Sequence, residues 1–424
     1  MIEMFERFRC TQLLEFDACT RCNECIEWCP VYQEIKEEKF VPWDTMCEED
    51  KLGFSPKYRV LKMREMLNKK YGLRALIFGP REITKEELER YRDQTYMCTT
   101  CGTCRTVCES RLDTVSLWET TREMLVGEGI GPYGKQSRFL EILKSGNMYE
   151  AKQEERLCWL PSDIEFKKEA EVAYFVGCTA AFRAQKVAVA SVRVLDELGV
   201  PFTLLGEEEL CCGSVLMRSG QPSPLVENYI MKNIENLKKR GVKKVVFSCA
   251  GCMKTATLDW PKYWGKELPF ETLTFPQYIL QLVDEGYELD IKPVRKKVTY
   301  HDPCHTGRHL GIYEPPRRLI QMIPGLEFVE MERTRELQRC CGAGGAVKAG
   351  IPQLALAMSK RRVEDAIEVD AEMLISTCPF CRRNLRDGIK EMGIDMEMED
   401  LMVILAEAMG LNTEVPENPY LYKS

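Results

Sequence analysis

The sequence predicts an α+β multidomain protein in which a mainly helical, cysteine-rich domain precedes two duplicated α/β lobes. Three observations predict it. Twenty-one cysteines stand in 424 residues, and eighteen of them fall into two patterns, each present twice. Matching cysteines of the second pattern are offset by 126 to 129 residues, so most of the later chain is an internal duplication. Within each copy, short apolar runs alternate with segments of helical periodicity, which builds a parallel sheet with ligand-bearing loops at its strand ends. The expected domains are 1–150, a first lobe at 171–290, a second lobe at 291–411 and a tail at 412–424.

The first pattern is Cys19, Cys22, Cys25 and Cys29 before Pro30, repeated as Cys98, Cys101, Cys104 and Cys108 before Glu109. Three cysteines spaced by two residues place their sulfurs on one side of a tight loop, where they wrap three corners of a cubane. In two-cluster ferredoxins the fourth cysteine of each run ligates the other cluster. One [4Fe–4S] cubane is therefore expected on Cys19, Cys22, Cys25 and Cys108, and a second on Cys98, Cys101, Cys104 and Cys29, in a ferredoxin-like domain. Zinc prefers pairs of Cys-x2-Cys separated by a longer loop. A disulfide framework needs an oxidising compartment, and the first residues, MIEMFERFRC, contain no apolar signal core.

Between the runs, residues 30–97 form a helical insertion expected to shield the cubanes. Lys57 to Lys70 carries an apolar stripe of Val60, Leu61, Met63 and Leu67, and Thr84 to Tyr91 opens with a capping box closed by Glu87. Val115 to Val126 and Lys135 to Leu143 read as helices leading into a linker at about Tyr149 to Glu171. Cys10, Cys47 and Cys158 fit no ligand pattern and are expected to be free thiols.

The second pattern is Cys178, then Cys211-Cys212-Gly213, then Cys249 and Cys252, repeated as Cys304, Cys340-Cys341-Gly342, Cys378 and Cys381. The run Val172 to Val176 before Cys178 and the run Lys297 to Tyr300 before Cys304 read as buried strands. Val245 to Phe247 and Leu374-Ile375 place the Cys-x2-Cys pairs just past strand ends. Val187 to Leu198, Leu225 to Leu237, Leu354 to Ile367 and Asn384 to Met392 have helical spacing. Each copy is thus expected to be an open, Rossmann-like lobe with its cysteines at one sheet edge. Five thiols exceed an ordinary cubane's need, and a glycine after each adjacent pair permits close backbone approach. Spacing alone supports a metal cluster of unusual ligation. The alternative is that the adjacent pairs are buried apolar thiols and the Cys-x2-Cys pairs bind zinc.

With these motifs and the phrases Asp17-Ala18-Cys19-Thr20-Arg21-Cys22, Cys98-Thr99-Thr100-Cys101 and His301-Asp302-Pro303-Cys304, the chain resembles the D-type iron–sulfur polypeptide of heterodisulfide reductase over roughly residues 10–395. That family is similar to a fusion of two polypeptides of the soluble enzyme, a C-type ferredoxin domain and a B-type double Cys-Cys-Gly domain. The resemblance implies two noncubane [4Fe–4S] clusters, one on Cys178, Cys211, Cys212, Cys249 and Cys252, the other on Cys304, Cys340, Cys341, Cys378 and Cys381. It also implies that a disulfide enters between them and is reduced to two thiols, with electrons arriving through the cubanes. The implied substrate in a methanogen is the mixed disulfide of coenzyme M and coenzyme B. The implied partner is a membrane cytochrome b or a soluble flavoprotein. The alternative in the same wider group is the electron-transfer subunit of an anaerobic menaquinone-linked oxidoreductase or of a glycerol-3-phosphate or lactate dehydrogenase. Backbone amides at Gly213, Gly342, Gly344 and Gly345 are expected to tune the clusters.

All three histidines, His301, His305 and His309, flank Cys304, whereas the first repeat has Phe175, Thr179 and Arg183 at the matching places. The mismatch argues against a duplicated metal site. His301 and His305 stand as candidates for protonating a departing thiolate, because imidazole titrates near neutrality. Arg308 and Lys348 are expected on the solvated surface, with recognition of an anionic disulfide as the alternative. A net charge of −7 argues against a broad nucleic-acid surface. No run approaches eighteen apolar residues, so no transmembrane helix is expected. The expected location is cytoplasmic, with attachment to the membrane face through a partner as the alternative.

Overall fold

A computed structural model describes residues 4–42 and 46–417; of the expected tail, 418–424 lie outside the described residues. Two four-stranded sheets, both wholly parallel, stand among a majority of helix, an α+β multidomain architecture. The first sheet contains β1 (Val172–Phe175), β2 (Phe202–Thr203), β3 (Lys244–Phe247) and β4 (Glu271–Thr274), in the order β2-β1-β3-β4. The second contains β5 (Lys296–Tyr300), β6 (Leu326–Phe328), β7 (Met373–Ser376) and β8 (Glu397–Asp400), in the order β6-β5-β7-β8. The duplication read from cysteine spacing therefore extends to topology. It reaches single contacts: the Tyr174 hydroxyl meets Ser248 Oγ at 2.9 Å, and Tyr300 meets Thr377 at the same distance.

β1 and β7 are buried along their whole length, as parallel strands covered on both faces must be. The central strands were legible for that reason. The edge strands β2, β4, β6 and β8 were not expected. They are two to four residues long, and β4, β6 and β8 expose Glu271, Glu327 and Glu397. Only hydrogen bonding across the sheet makes them strands. In each sheet the chain order reverses beside the first strand, so the carboxyl ends of β1 and β3, and of β5 and β7, border a switch point where ligands bind.

The expected helices form, with two differences. Lys135 to Leu143 is not one helix but a 3-10 turn, Gly134–Arg138, followed by the α-helix Phe139–Leu143. Ser137 Oγ donates to the Gly134 carbonyl at 2.9 Å, which suits a tighter i to i+3 turn. The helix expected from Asn384 begins five residues earlier, at Pro379, because proline at the first helical position supplies a fitting φ and Cys378 becomes its N-cap.

The chain forms two compact units. One comprises Met1–Arg138, Val215–Pro222 and Arg339–Ser359; the other comprises Phe139–Ser214, Ser223–Gln338 and Lys360–Ser424. The first is helical around a core that includes Phe8, Phe16, Met63, Met66, Tyr91 and Trp118. Its Lys85–Tyr96 helix has the expected capping box: Thr84 Oγ1 accepts the Glu87 N–H, and a Glu87 carboxylate oxygen accepts the Thr84 N–H, each at 3.2 Å. The second unit holds both sheets, and within it the helices Gln185–Glu197 and Leu401–Ala408 pack one lobe against the other.

Candidate metal centres

In the first unit, the two ferredoxin-type runs adopt the same backbone. Arg21 and Asn23 have φ of 64° and 77°, and the matching Thr100 and Gly102 have 52° and 81°. Three of these four are not glycine, so the left-handed conformation is held against its steric cost by the surrounding fold. Such alternation turns successive N–H groups inward, as in an anion-binding nest; the Thr100 N–H donates to Cys98 Sγ at 3.4 Å. Cys29 lines one cavity with Cys98, Cys101 and Cys104. Cys108 lines the other with Cys19, Cys22 and Cys25, and Cys104 borders both cavities. Each run thus reaches across to the other's cavity. Glu109, where proline stands in the first run, opens a turn, and the next helix waits until Thr114, capped by Asp113.

Burial pushes the Cys29 thiol up to about 12 and the Cys104 thiol up to about 11. Against that, the buried Arg59 guanidinium stands beside Cys98, Cys29 and Cys104 and stacks 4.7 Å from the Trp118 ring. A buried cation among four buried thiols favours an anionic ligand set. Arg122, fully buried, donates to the carbonyls of Thr95, Cys98, Arg218 and Gly345. The Cys98 loop thereby joins the segments after both Cys-Cys-Gly motifs. Gly345 requires its lack of a side chain, since a Cβ there would lie 2.5 Å from the Cys98 carbonyl.

In the second unit, the five cysteines of the first lobe meet. Cys178 follows β1, Cys211 and Cys212 follow β2, and Cys249 is the N-cap of the helix Ala250–Leu258, which carries Cys252. The thiols form a hydrogen-bonded chain from Cys178 through Cys211 and Cys212 to Cys252 and Cys249. Bonds from Cys211 and Cys252 draw the Cys212 thiol down to about 6. Backbone amides of Gly213 and Ser214 donate to Cys211 and Cys212. Gly213 and Gly342 have φ of 89° and 90°, so the adjacent-cysteine turns match in both repeats. Gly342 N–H likewise faces Cys340 Sγ at 3.4 Å.

A buried ion pair braces this lobe. Glu209 accepts from Arg156 Nη2 at 2.5 Å and from the N–H groups of Val176 and Gly177 at 3.0 and 2.8 Å, while Arg156 faces Cys178 Sγ at 3.9 Å. Both side chains are 1% exposed. Sequence reading missed the pair, because a lone arginine in the linker carries no pattern. One signal existed: the second repeat has Gln338 where the first has Glu209.

In the second lobe, Cys304 follows β5 and is buried, and Cys378 is hydrogen-bonded to Cys381. Cys340 and Cys341 belong to the first compact unit, Cys304, Cys378 and Cys381 to the second. Cys378 also bonds Cys249 of the other lobe, with the Ala250 N–H donating to it, and these bonds hold its thiol well below the ordinary range. Among the ten cysteines of the two lobes, Cys249 alone is partly exposed.

His301 is fully buried; burial and then the Arg362 charge depress it to about 3. Arg362 Nε donates to its Nδ1 at 3.2 Å, so the neutral ring carries its proton on Nε2. His301 is thus a poor acid. His305 and His309 lie on turns rather than a helix, their rings 5.0 Å apart. A Cβ on Gly251 would stand 3.6 Å from His305 Nδ1 and 3.8 Å from both Cys249 Sγ and Ser214 Oγ, so His305 and Cys249 both border Gly251. Arg308 is not on the solvated surface: it is buried and donates to the Glu336 and Gln338 carbonyls, hydrogen bonds that a surface position could not supply. Lys348 is partly exposed.

All 21 cysteines are free thiols, and none of Cys10, Cys47 or Cys158 lines either of these cavities. Cysteine-lined cavities, amides aimed at sulfur and a five-thiol chain fit iron–sulfur clusters, which require thiolates and release their protons on binding.

The 4Fe-4S dicluster domain family matches residues 15–112, and the Cysteine-rich domain family matches residues 172–256 and 298–386. The chain is 47% identical, over 95% of its own length and 96% of the relative's, to the D-type polypeptide of the dihydromethanophenazine:CoB–CoM heterodisulfide reductase of Methanosarcina barkeri. It is 28% identical to the EtfAB:quinone oxidoreductase of Syntrophomonas wolfei, over 96% of this chain and 60% of that one. A crystal structure of a hypothetical protein from Helicobacter pylori shares the fold at 11% identity, with a TM-score of 0.52 over 90% of this chain and 76% of that one.

Proposed function

The chain belongs to the D-type polypeptide family of heterodisulfide reductase, and on that premise we propose that it is the catalytic iron–sulfur subunit of a disulfide-reducing complex. The reaction is RSSR′ + 2e⁻ + 2H⁺ → RSH + R′SH. The substrate proposed is the mixed disulfide of coenzyme M and coenzyme B, the pair in the name of the M. barkeri relative. The proposed ligands are Cys19, Cys22, Cys25 and Cys108 for one cubane, and Cys98, Cys101, Cys104 and Cys29 for the other. Cys178, Cys211, Cys212, Cys249 and Cys252 are proposed for one noncubane cluster, and Cys304, Cys340, Cys341, Cys378 and Cys381 for its twin. The redox partner proposed is a membrane cytochrome b or a soluble flavoprotein.

One observation carries this reading: the Cys249 thiol of one repeat is hydrogen-bonded to the Cys378 thiol of the other, and Cys249 is the partly exposed member of the set. A disulfide approaching there meets ligand thiols of both repeats. When bound, the clusters supply electrons singly, so two centres can share a two-electron cleavage without releasing a thiyl radical. His305, which like Cys249 borders Gly251, is the proposed proton donor to a leaving thiolate. Buried Arg59, and Arg156 with Glu209, hold anionic sulfur ligands in place.

The test is anaerobic purification, iron and sulfide counting, and assay with reduced viologen against a panel of disulfides. About sixteen irons per chain are expected for four four-iron centres; half that number ends the two-lobe reading. Cys340→Ser is expected to abolish turnover while the cubane signals persist. Full turnover in that variant, or no reaction with any disulfide, would favour an electron-transfer role instead.

A further inference from the structure

Apart from the cysteine sites, one surface departs from the chemistry of its surroundings. Residues 69–81 leave the body of the insertion and return to it, and the Arg81 N–H donates to the Lys69 carbonyl at 2.8 Å, closing the base. Lys69 Nζ pins that base to Glu87 at 2.5 Å. The excursion carries the short helix Leu73–Phe78, which ends at Gly79 with φ 85°. A closed base and a six-residue helix make a stiff finger rather than a loose loop.

Its tip is apolar and outward. Leu73, Leu76, Ile77 and Phe78 are 75, 77, 64 and 80% exposed, and Tyr71 beside them is 49% exposed. Ala75, on the inner side, is 6% exposed. Single exposed apolar residues are ordinary, but five gathered on one projection mark an interaction site. The same stretch contains Lys69, Lys70, Arg74 and Arg81 and, from residue 66 to residue 81, no acid. On a chain of net charge −7 this is a local reversal of sign. An apolar tip flanked in sequence by Lys70 and Arg81, with Arg74 exposed within it, has the composition of an interfacial segment, whose bulky residues enter the acyl boundary while lysine and arginine reach the headgroup phosphates.

We infer that this finger docks the protein on an anionic lipid surface. The charge argues for lipid over a protein groove: the cations stand on both sides of the tip, and a bilayer presents phosphates all round an inserted wedge. No helix among the described residues is long and apolar enough to cross a membrane, so attachment here is to one face. The inference rests on this surface alone and is independent of the disulfide chemistry.

The experiment is anaerobic flotation of the full, iron-loaded chain with protein-free vesicles, either equal parts phosphatidylglycerol and phosphatidylcholine or phosphatidylcholine alone. The wild type is expected to float with the anionic vesicles and to partition at least about tenfold less onto the neutral ones. Ile77→Asp with Phe78→Asp, and separately Arg74→Glu with Arg81→Glu, are expected to lower anionic binding at least about tenfold. Iron content reports that each variant is folded, and these exposed positions contact no proposed ligand. Failure of the wild type to float, equal binding to both vesicle types, or variants that float as well as the wild type would each overturn the inference. In the first case the finger is left to a protein partner.

Discussion

Glu209→Gln should loosen one of the four proposed metal centres. The carboxylate accepts three hydrogen bonds in a fully buried site, one from the Arg156 guanidinium and two from the amides just ahead of Cys178. Glutamine keeps the volume but removes the charge, and its amide nitrogen must face donors with a donor. Uncoupling a buried arginine from its partner costs about 3–5 kcal/mol. If that cost falls on local opening of the Cys178 and Cys211 loops, release of the iron they hold accelerates on the order of 10²- to 10³-fold. The assay is iron transfer to a chelator without oxygen, followed by EPR and absorbance. About one quarter of the iron should leave in a fast phase. The second lobe is a built-in control, since Gln338 already occupies the matching position. Arg156→Met with Glu209→Leu, which removes both charges, should recover part of the loss. Release within about threefold of wild type for Glu209→Gln, or a double variant worse than the sum of the singles, would refute this account.

Three further outcomes follow from buried geometry. Arg122→Lys replaces a planar fork that serves four carbonyls with a single ammonium, so the chain should lose about 3 kcal/mol or more in anaerobic denaturation; a loss under about 1 kcal/mol would contradict the role. Gly177→Ala sets a Cβ at φ 73° and 3.1 Å from Cys252 Sγ, so about four irons per chain should be lost, and a full iron complement would contradict it. Burial raises the Asp400 carboxyl to about 8, with one oxygen accepting the Met402 N–H and the other unpartnered among the described residues. The folded chain keeps a proton there that the unfolded chain releases above its ordinary pKa near 3.8, so stability falls as pH rises from about 4 through about 8. Asp400→Asn should flatten that decline between about pH 4 and about pH 8, and an unchanged slope in the melting midpoint would count against it.

Legibility in the sequence tracked how local each determinant was. Strand β1 was readable because a parallel strand covered on both faces must be continuously apolar, and the Lys85–Tyr96 helix because Thr84 and Glu87 close its end within four residues. Strand β8 was not readable, since its Glu-Met-Glu-Asp becomes a strand only when β7 offers it hydrogen bonds. The break at Arg138 escaped for a related reason: helical spacing is satisfied by a 3-10 turn followed by an α-turn as well as by one helix.

The chain by itself determined the duplication and the candidate ligand sets, because cysteine spacing along a backbone limits which sulfurs can surround one cofactor. Only tertiary structure decided which thiol of one repeat meets which of the other, as Cys249 does Cys378, and which cysteine of the ten is partly exposed. It alone showed that His301, on the strand side of Cys304, is sealed and neutral, while His305 borders Gly251 together with Cys249. It alone brought Arg156 from the linker to Glu209, 53 positions away. Spacing records what the chain can reach, whereas charge pairing, burial and pKa depend on neighbours that arrive from elsewhere in the fold.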